Sequence, residues 1–300
     1  MNEMLDERVR TAMFVYLEHL SQRSVDGTIR WSDIKDFRFD GRAVHLIGAQ
    51  GIWTPQGFDT AFSMTTTYTP PDQLPPYSDA VGYDGLIRYK YKGADPNDPD
   101  NVRLRRAMIR HVALVYFIGV AKGVYLPRWP VWIVGDDPEK HEFYVAIDEG
   151  LRFAADTSSE PSRRAYVTRI VQERLHQPVF RFRVLRAYDS ACAVCRLRHS
   201  ELLDAAHILP DSHPLGDPIV PNGLALCKIH HAAFDRNIMG IRPDLVIEVR
   251  REILQEIDGP MLRHGLQEMH GNKIDVPRSK TSRPDHERLE ERYENFRSVS

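Results

Sequence analysis

Cys192-Ala-Val-Cys195 and Cys227-Lys-Ile-His230 set three thiols and an imidazole in two pairs, each with two residues between its members. No other feature restricts the folding of this chain as strongly. A two-residue gap lets both side chains of a pair converge from a tight turn, and two such pairs supply the donors of a tetrahedral structural zinc site. Thiolate with imidazole favours Zn²⁺ over magnesium or calcium. The competing use, a redox Cys-x-x-Cys, normally opens a helix after a strand in a βαβ unit, and no such pattern surrounds Cys192. In so small a domain the metal would supply on the order of 10 kcal/mol of folding free energy. His231 directly follows His230. Neighbouring side chains on a helix point about 100° apart, so a His230 committed to zinc leaves His231 for a second site.

The 300 residues, 42% of them hydrophobic, suffice for one large or two ordinary cores. The opening MNEMLDERVR lacks an apolar signal region and no run is long enough to span a bilayer, so the expectation is a cytoplasmic protein with no membrane partner. Net charge is −2, yet Arg152, Arg163, Arg164, Arg169, Arg174, Arg181, Arg183, Arg186, Arg196 and Arg198 crowd the region before and around the Cys-x-x-Cys. Such a stretch serves equally as a phosphate-facing surface or as a solvated helix face.

Apolar positions at helical spacing make residues 3–22 an amphipathic helix. From Ile29 to Ile147 short β-rich runs follow (AVHLIG, FSMTTTYT, GLIRYKYKG, ALVYFIGV, VWIVG, EFYVAI), punctuated by Pro and Gly, with one helix at 101–110. Strands so spaced predict a partly closed sheet or barrel. The polar DTSSEP run caps a helix to about His176. The fold class is α+β, with an N-terminal domain over 1–155, a helical linker over 156–177 and a C-terminal domain over 178–300. The last thirty or so residues are charged, with one short helix at HERLEERYENF.

Between the zinc pairs, Leu203–Pro210 reads as a strand and Asn222 lies near the start of the next segment (NGLALC), so that His207, Asn222 and His231 fall in order. This resembles the HNH endonuclease family over residues 180–255. Its ββα-metal motif, a two-stranded hairpin and a helix, grips one divalent ion, and the resemblance implies DNA hydrolysis. That chemistry needs a base for water, a Lewis acid for the developing charge and a group to orient the base. His207 takes the role of base. Asn222 holds the loop or the histidine and could also touch the metal. His231 and Asp235, at i and i+4, share a helix face and reach one ion. An open site containing a carboxylate suits Mg²⁺ or Mn²⁺. Many family members carry a histidine or aspartate before the base as a further ligand; here that position is Ala206, and Asp204 is the nearest acid that could reach in. His213 reads as a solvated loop residue or a phosphate contact, and His199, His264 and His270 as surface residues.

The run from Tyr77 to Gly93 (YSDAVGYDGLIRYKYKG), followed by Asp100-Asn101-x-x-Leu104, resembles the SET- and RING-associated (SRA) domain over residues 45–147. SRA domains flip a modified cytosine, stack it between two tyrosines and read its pairing edge with an aspartate. The resemblance assigns stacking to Tyr77 and Tyr91, and reading to Asp79 or Asp84. Lys92 stands where the family often has threonine. Flipping costs a few kcal/mol, while base–aromatic stacking returns roughly 1–3 kcal/mol per base. The expectation is an SRA-like β-barrel joined to an HNH nuclease: a restriction endonuclease cutting double-stranded DNA that carries 5-methyl- or 5-hydroxymethylcytosine. Alternatives are a phosphorothioate-dependent HNH nuclease, a nuclease blind to methylation and a non-catalytic modified-DNA-binding protein. A one-metal site cuts one strand, so a homodimer is expected; its candidate faces are Val9, Met13, Tyr16 and Leu17, and Tyr166, Ile170, Val171 and Leu175.

Overall fold

The computed structural model describes residues 3–48, 51–70, 73, 81–82, 84–154 and 161–299. Tyr77 and Asp79 lie outside them, as does most of the DTSSEP run. The chain divides into two compact units, residues 1–69 with 75–176, and residues 70–74 with 177–300. Among the described residues no helix is long and apolar enough to cross a membrane.

The first unit contains α1 (Glu3–Gln22), β1 (Ile29–Arg30), α2 (Trp31–Lys35), β2 (Arg38–Phe39), β3 (Arg42–Ala43), β4 (Ser63–Thr66), β5 (Ile87–Lys90), α3 (Pro99–Ile109), β6 (Leu114–Ala121), β7 (Val124–Asp137), β8 (Glu142–Ala146) and α4 (Glu149–Ala154). The division between units falls within α5 (Pro161–Ala187). α1 buries Val9, Met13 and Leu17, one residue per turn, against Phe62, Val115 and Phe117. That stripe is consumed inside its own unit, and Tyr16 donates its hydroxyl to Asp33 O at 2.5 Å. Val9, Met13 and Leu17 are therefore not open to a second copy. α3 starts where Asp98 accepts from Asp100 N, with proline in the first turn.

Every residue of β6 is buried, which explains its uninterrupted apolar run: it lies inside the sheet, parallel to β4 and antiparallel to β7. The strand order is β4-β6-β7-β8-β5, with β1 on β7. No closed barrel is found among the described residues. Among the described residues the sheet is an open path whose edges, β4 and β5, have four residues each. Tyr89 Oη donates to Thr65 O across that gap at 3.2 Å, a side-chain bond rather than a ladder. Burial raises the Tyr89 hydroxyl to about 12.

The second unit contains β9 (Leu203–His207), β10 (Gly223–Cys227), α6 (Lys228–Asp235), β11 (Met239–Ile241), β12 (Ile247–Val249), α7 (Arg251–Gln255), α8 (Pro260–Gly265) and α9 (His286–Val299). β9 and β10 pair antiparallel, with Gly223 opposite His207 and Cys227 opposite Leu203. β10 is buried along its whole length and leads directly into α6. The charged tail is no appendage. Leu289 and Phe296 of α9 are buried, and Arg292 donates to Asn237 Oδ1 and Phe234 O at 2.5 Å each.

Candidate active site and metal centres

The Cys-x-x-Cys pair lies in a turn closed by Cys192 N donating to Leu197 O and Arg196 N donating to Cys192 O, both at 2.9 Å. Ala193 N donates to Ala225 O at 2.7 Å and ties that turn to β10. Cys227 ends β10 and caps α6, and His230 follows in the first helical turn. The four donor atoms of Cys192, Cys195, Cys227 and His230 lie within 4.8 Å of one another. Cys195 Sγ and Cys227 Sγ are 3.9 Å apart, and His230 Nδ1 is 3.1 Å from Cys227 Sγ and 3.5 Å from Cys192 Sγ. A tetrahedron built on metal–sulfur bonds of about 2.3 Å has sulfur–sulfur edges of about 3.8 Å, so the cluster has the dimensions of a zinc site. His230 Nε2–H donates to Gly265 O of α8 at 2.7 Å, which turns the Nδ1 lone pair toward the sulfurs.

His231 faces elsewhere, as the helical offset requires. Its Nδ1–H donates to Asp204 Oδ2 at 3.3 Å, and its Nε2 lies 3.3 Å from Asp235 Oδ2. Asp204 also accepts from Lys228 Nζ at 2.6 Å on both oxygens and has Arg181 Nε at 4.0 Å. Burial works against charge on Asp204, but Lys228 and His231 outweigh it and hold its carboxyl below the usual carboxylate range. Two ligands about 2.1 Å from one octahedral ion stand about 3 Å apart. His231 Nε2 and Asp235 therefore fit a small divalent ion at the rim, where the Asp235 side chain is 59% exposed.

His207 ends β9 with its ring stacked on Phe180 of α5, centroids 4.0 Å apart and planes 14° from parallel. Its Nε2 is 3.0 Å from Asp211 Oδ1, but that contact is out of hydrogen-bond alignment. The atom is shielded from solvent and has no hydrogen-bond partner among the described residues. Gly223 opposite it is required by packing, because a Cβ there would meet Val184 at 2.4 Å and Phe180 at 2.9 Å. Among the described residues the partners of His207 (Phe180, Asp211) and of His231 (Asp204, Asp235) are different.

Asn222 is fully buried. Its Oδ1 accepts from Leu209 N at 3.0 Å, and its Nδ2 donates to Leu209 O at 3.0 Å and to Asp217 O at 3.1 Å. Its amide is spent on the backbone of the β9–β10 loop. Of the two roles expected for it, this geometry fits loop-holding and not metal contact. Phe180, Asp211 and Lys228 were not singled out from sequence. Asp211, four residues beyond His207 at a strand exit, carried the one available signal.

The other expected sites look different in three dimensions. Tyr91 is only 6% exposed, packs on Phe143 at 4.6 Å and bonds through its hydroxyl to Asp136 and Arg105. Burial, and then Asp136, raise that hydroxyl above its ordinary value. Its ring is part of the core, not an open platform for a base. Asp84 is 41% exposed and bound to Arg88 at 2.8 Å. Lys92 pairs with Asp100 at 2.5 Å. Part of the arginine crowd is also spoken for: Arg181 donates to Ser200 O and Leu203 O, and Arg183 is 4% exposed. His213 pairs with Glu291 of α9 at 2.7 Å.

Residues 192–242 match the family model described as HNH endonuclease. No curated protein matches the chain. Among solved structures, one titled "Modification dependent TagI restriction endonuclease" is similar over 82% of this chain and 85% of that chain, at 17% sequence identity and a TM-score of 0.30.

Proposed function

We propose that this chain, whose residues 192–242 form an HNH endonuclease domain, is a modification-dependent DNA endonuclease. In this reading the N-terminal unit reads modified cytosine and the C-terminal unit hydrolyses the phosphodiester. The observation that carries the nuclease half is the family match over residues 192–242, within which His207 lies at the end of the hairpin beside Asp211. A neutral imidazole so placed accepts the proton of an attacking water. The stack on Phe180 fixes its plane, and the neighbouring Asp211 carboxylate stabilises the imidazolium that results. Asn222 holds the loop that follows His207, so the base keeps its position while charge moves.

His231 and Asp235 would hold Mg²⁺ or Mn²⁺, which when bound supplies Lewis-acid stabilisation of the phosphate and the leaving oxygen. Cys192, Cys195, Cys227 and His230 would hold a structural Zn²⁺ that joins the turn, β10 and α6. The reader rests on the sequence run 77–104. In this reading a flipped modified cytosine is recognised by Tyr77 with Asp79 or Asp84, while the stacking expected of Tyr91 is at odds with its burial against Phe143. A homodimer would supply the second site for a double-strand break.

Matched unmodified and cytosine-methylated plasmids, incubated with the zinc-loaded protein and Mg²⁺ or Mn²⁺, test the reading. Cleavage of the methylated plasmid alone is the expected result. Equal cleavage of both would overturn the reader, and cleavage of neither, with hydroxymethylated DNA also intact, would overturn the nuclease. Light scattering tests the dimer, and a mass of 34.6 kDa at micromolar concentration would refute it.

A further inference from the structure

The position that holds an additional metal ligand in the resembling nucleases is Ala206 here, and Ala206 is fully buried. Period-two alternation puts Asp204 on the same face of β9 as Ala206. Asp204 does not stand in as a ligand, because both its oxygens are taken by Lys228 and one of them also by His231.

The two nitrogens of His231 are in different situations. Nδ1 makes an aligned hydrogen bond to Asp204, whereas Nε2 lies beside the Asp235 carboxylate at 3.3 Å without one. A ring that gives its Nδ1 proton to a carboxylate has its Nε2 lone pair free for a cation. Lys228 on both Asp204 oxygens, with Arg181 at 4.0 Å, keeps that acceptor in place and charged. Lys228 and His231 both project from α6, and Asp204 reaches them from β9, so one carboxylate joins hairpin to helix at the rim.

We infer that Asp204 is the positioning residue of the divalent-ion site: it fixes the tautomer and the ring orientation of His231, while Lys228 anchors Asp204. The inference rests on the proposed reading of His231 and Asp235 as ion ligands. It makes Asp204 an outer partner that compensates for the ligand missing at 206, by keeping His231 preorganised.

Mn²⁺ titration of the zinc-loaded full chain without DNA, followed by calorimetry, reads this separately from turnover. His231→Ala should abolish the binding seen in the wild-type protein. Asp204→Ala should weaken Mn²⁺ binding roughly 10- to 100-fold, the range typical for loss of an outer partner, with zinc content and melting temperature retained. Lys228→Met should weaken it less. In ¹⁵N-labelled protein the His231 ring should change from Nδ1–H to a tautomer mixture in Asp204→Ala, a shift that a packing role would not produce. Unchanged Mn²⁺ affinity and an unchanged tautomer in Asp204→Ala would overturn the inference while leaving the metal reading intact. If His231→Ala binds Mn²⁺ as the wild type does, both fall. Should Asp204→Ala lose zinc or its fold, Asp204→Leu, of similar shape but with no acceptor for His231, provides the same two readouts, with the same outcomes deciding.

Discussion

Asn222→Ala removes a side chain that is fully buried and makes three hydrogen bonds to the β9–β10 loop. At a net value of about 1 kcal/mol each, the three bonds amount to about 3 kcal/mol, and Leu209 N–H is left buried without its acceptor. For a unit of this size, roughly 3–5 °C of melting temperature accompanies each kcal/mol, so the transition should fall by about 10–15 °C. Asn222→Asp is the sharper probe. It keeps the acceptor for Leu209 N but places an anionic oxygen against Leu209 O and Asp217 O, so it should destabilise at least as much as alanine near neutral pH. The introduced carboxyl would have a raised folded-state pKa, because only its protonated form can donate to those carbonyls. The folded state then binds more protons than the unfolded one, and the variant's stability should rise as pH falls from roughly 8 to 5. The assay is thermal unfolding of the zinc-loaded chain across that range, with cleavage rates measured below the transition. An Asn222→Asp protein with wild-type melting and cleavage at neutral pH, or with tighter Mn²⁺ binding, would refute loop-holding and restore Asn222 as a metal ligand.

Cys195→Ala leaves three donors that cannot close the tetrahedron; zinc stoichiometry by atomic absorption and the melting transition should both drop, and retention of both would end the zinc assignment. His207→Ala should slow plasmid cleavage by about 10²–10⁴-fold with DNA affinity nearly unchanged in a mobility-shift assay; a residual rate above about a tenth of wild type would move the base role to His213. Phe296→Ala should cost about 3–5 kcal/mol in urea unfolding, since the ring is 2% exposed and fills the space over Gly240, where a Cβ would approach it to 2.6 Å. A loss below about 1 kcal/mol would return α9 to the status of a dispensable tail.

Local chemistry was legible in the residues themselves. Cys192, Cys195, Cys227 and His230 are paired at spacings that a tight turn and a first helical turn must bring together, and their donor atoms do converge. The division of labour between His230 and His231 follows from the helical offset alone, and α1 was readable end to end because its apolar stripe repeats with the helix. What sequence could not decide was set by partners distant in the chain. Whether β-rich runs close into a barrel depends on which edges meet, and in the described sheet β4 and β5 remain edges. Tyr91 has the sequence surroundings of a stacking platform, but Phe143, Asp136 and Arg105 claim it, and pairing along β8 and β7 decides that. Asp204 gains its place through register: a shift of one residue in the β9–β10 ladder would turn it away from α6, because side chains alternate between faces with a period of two. Spacing is a property of the chain, whereas burial and the choice of partner belong to the packed fold.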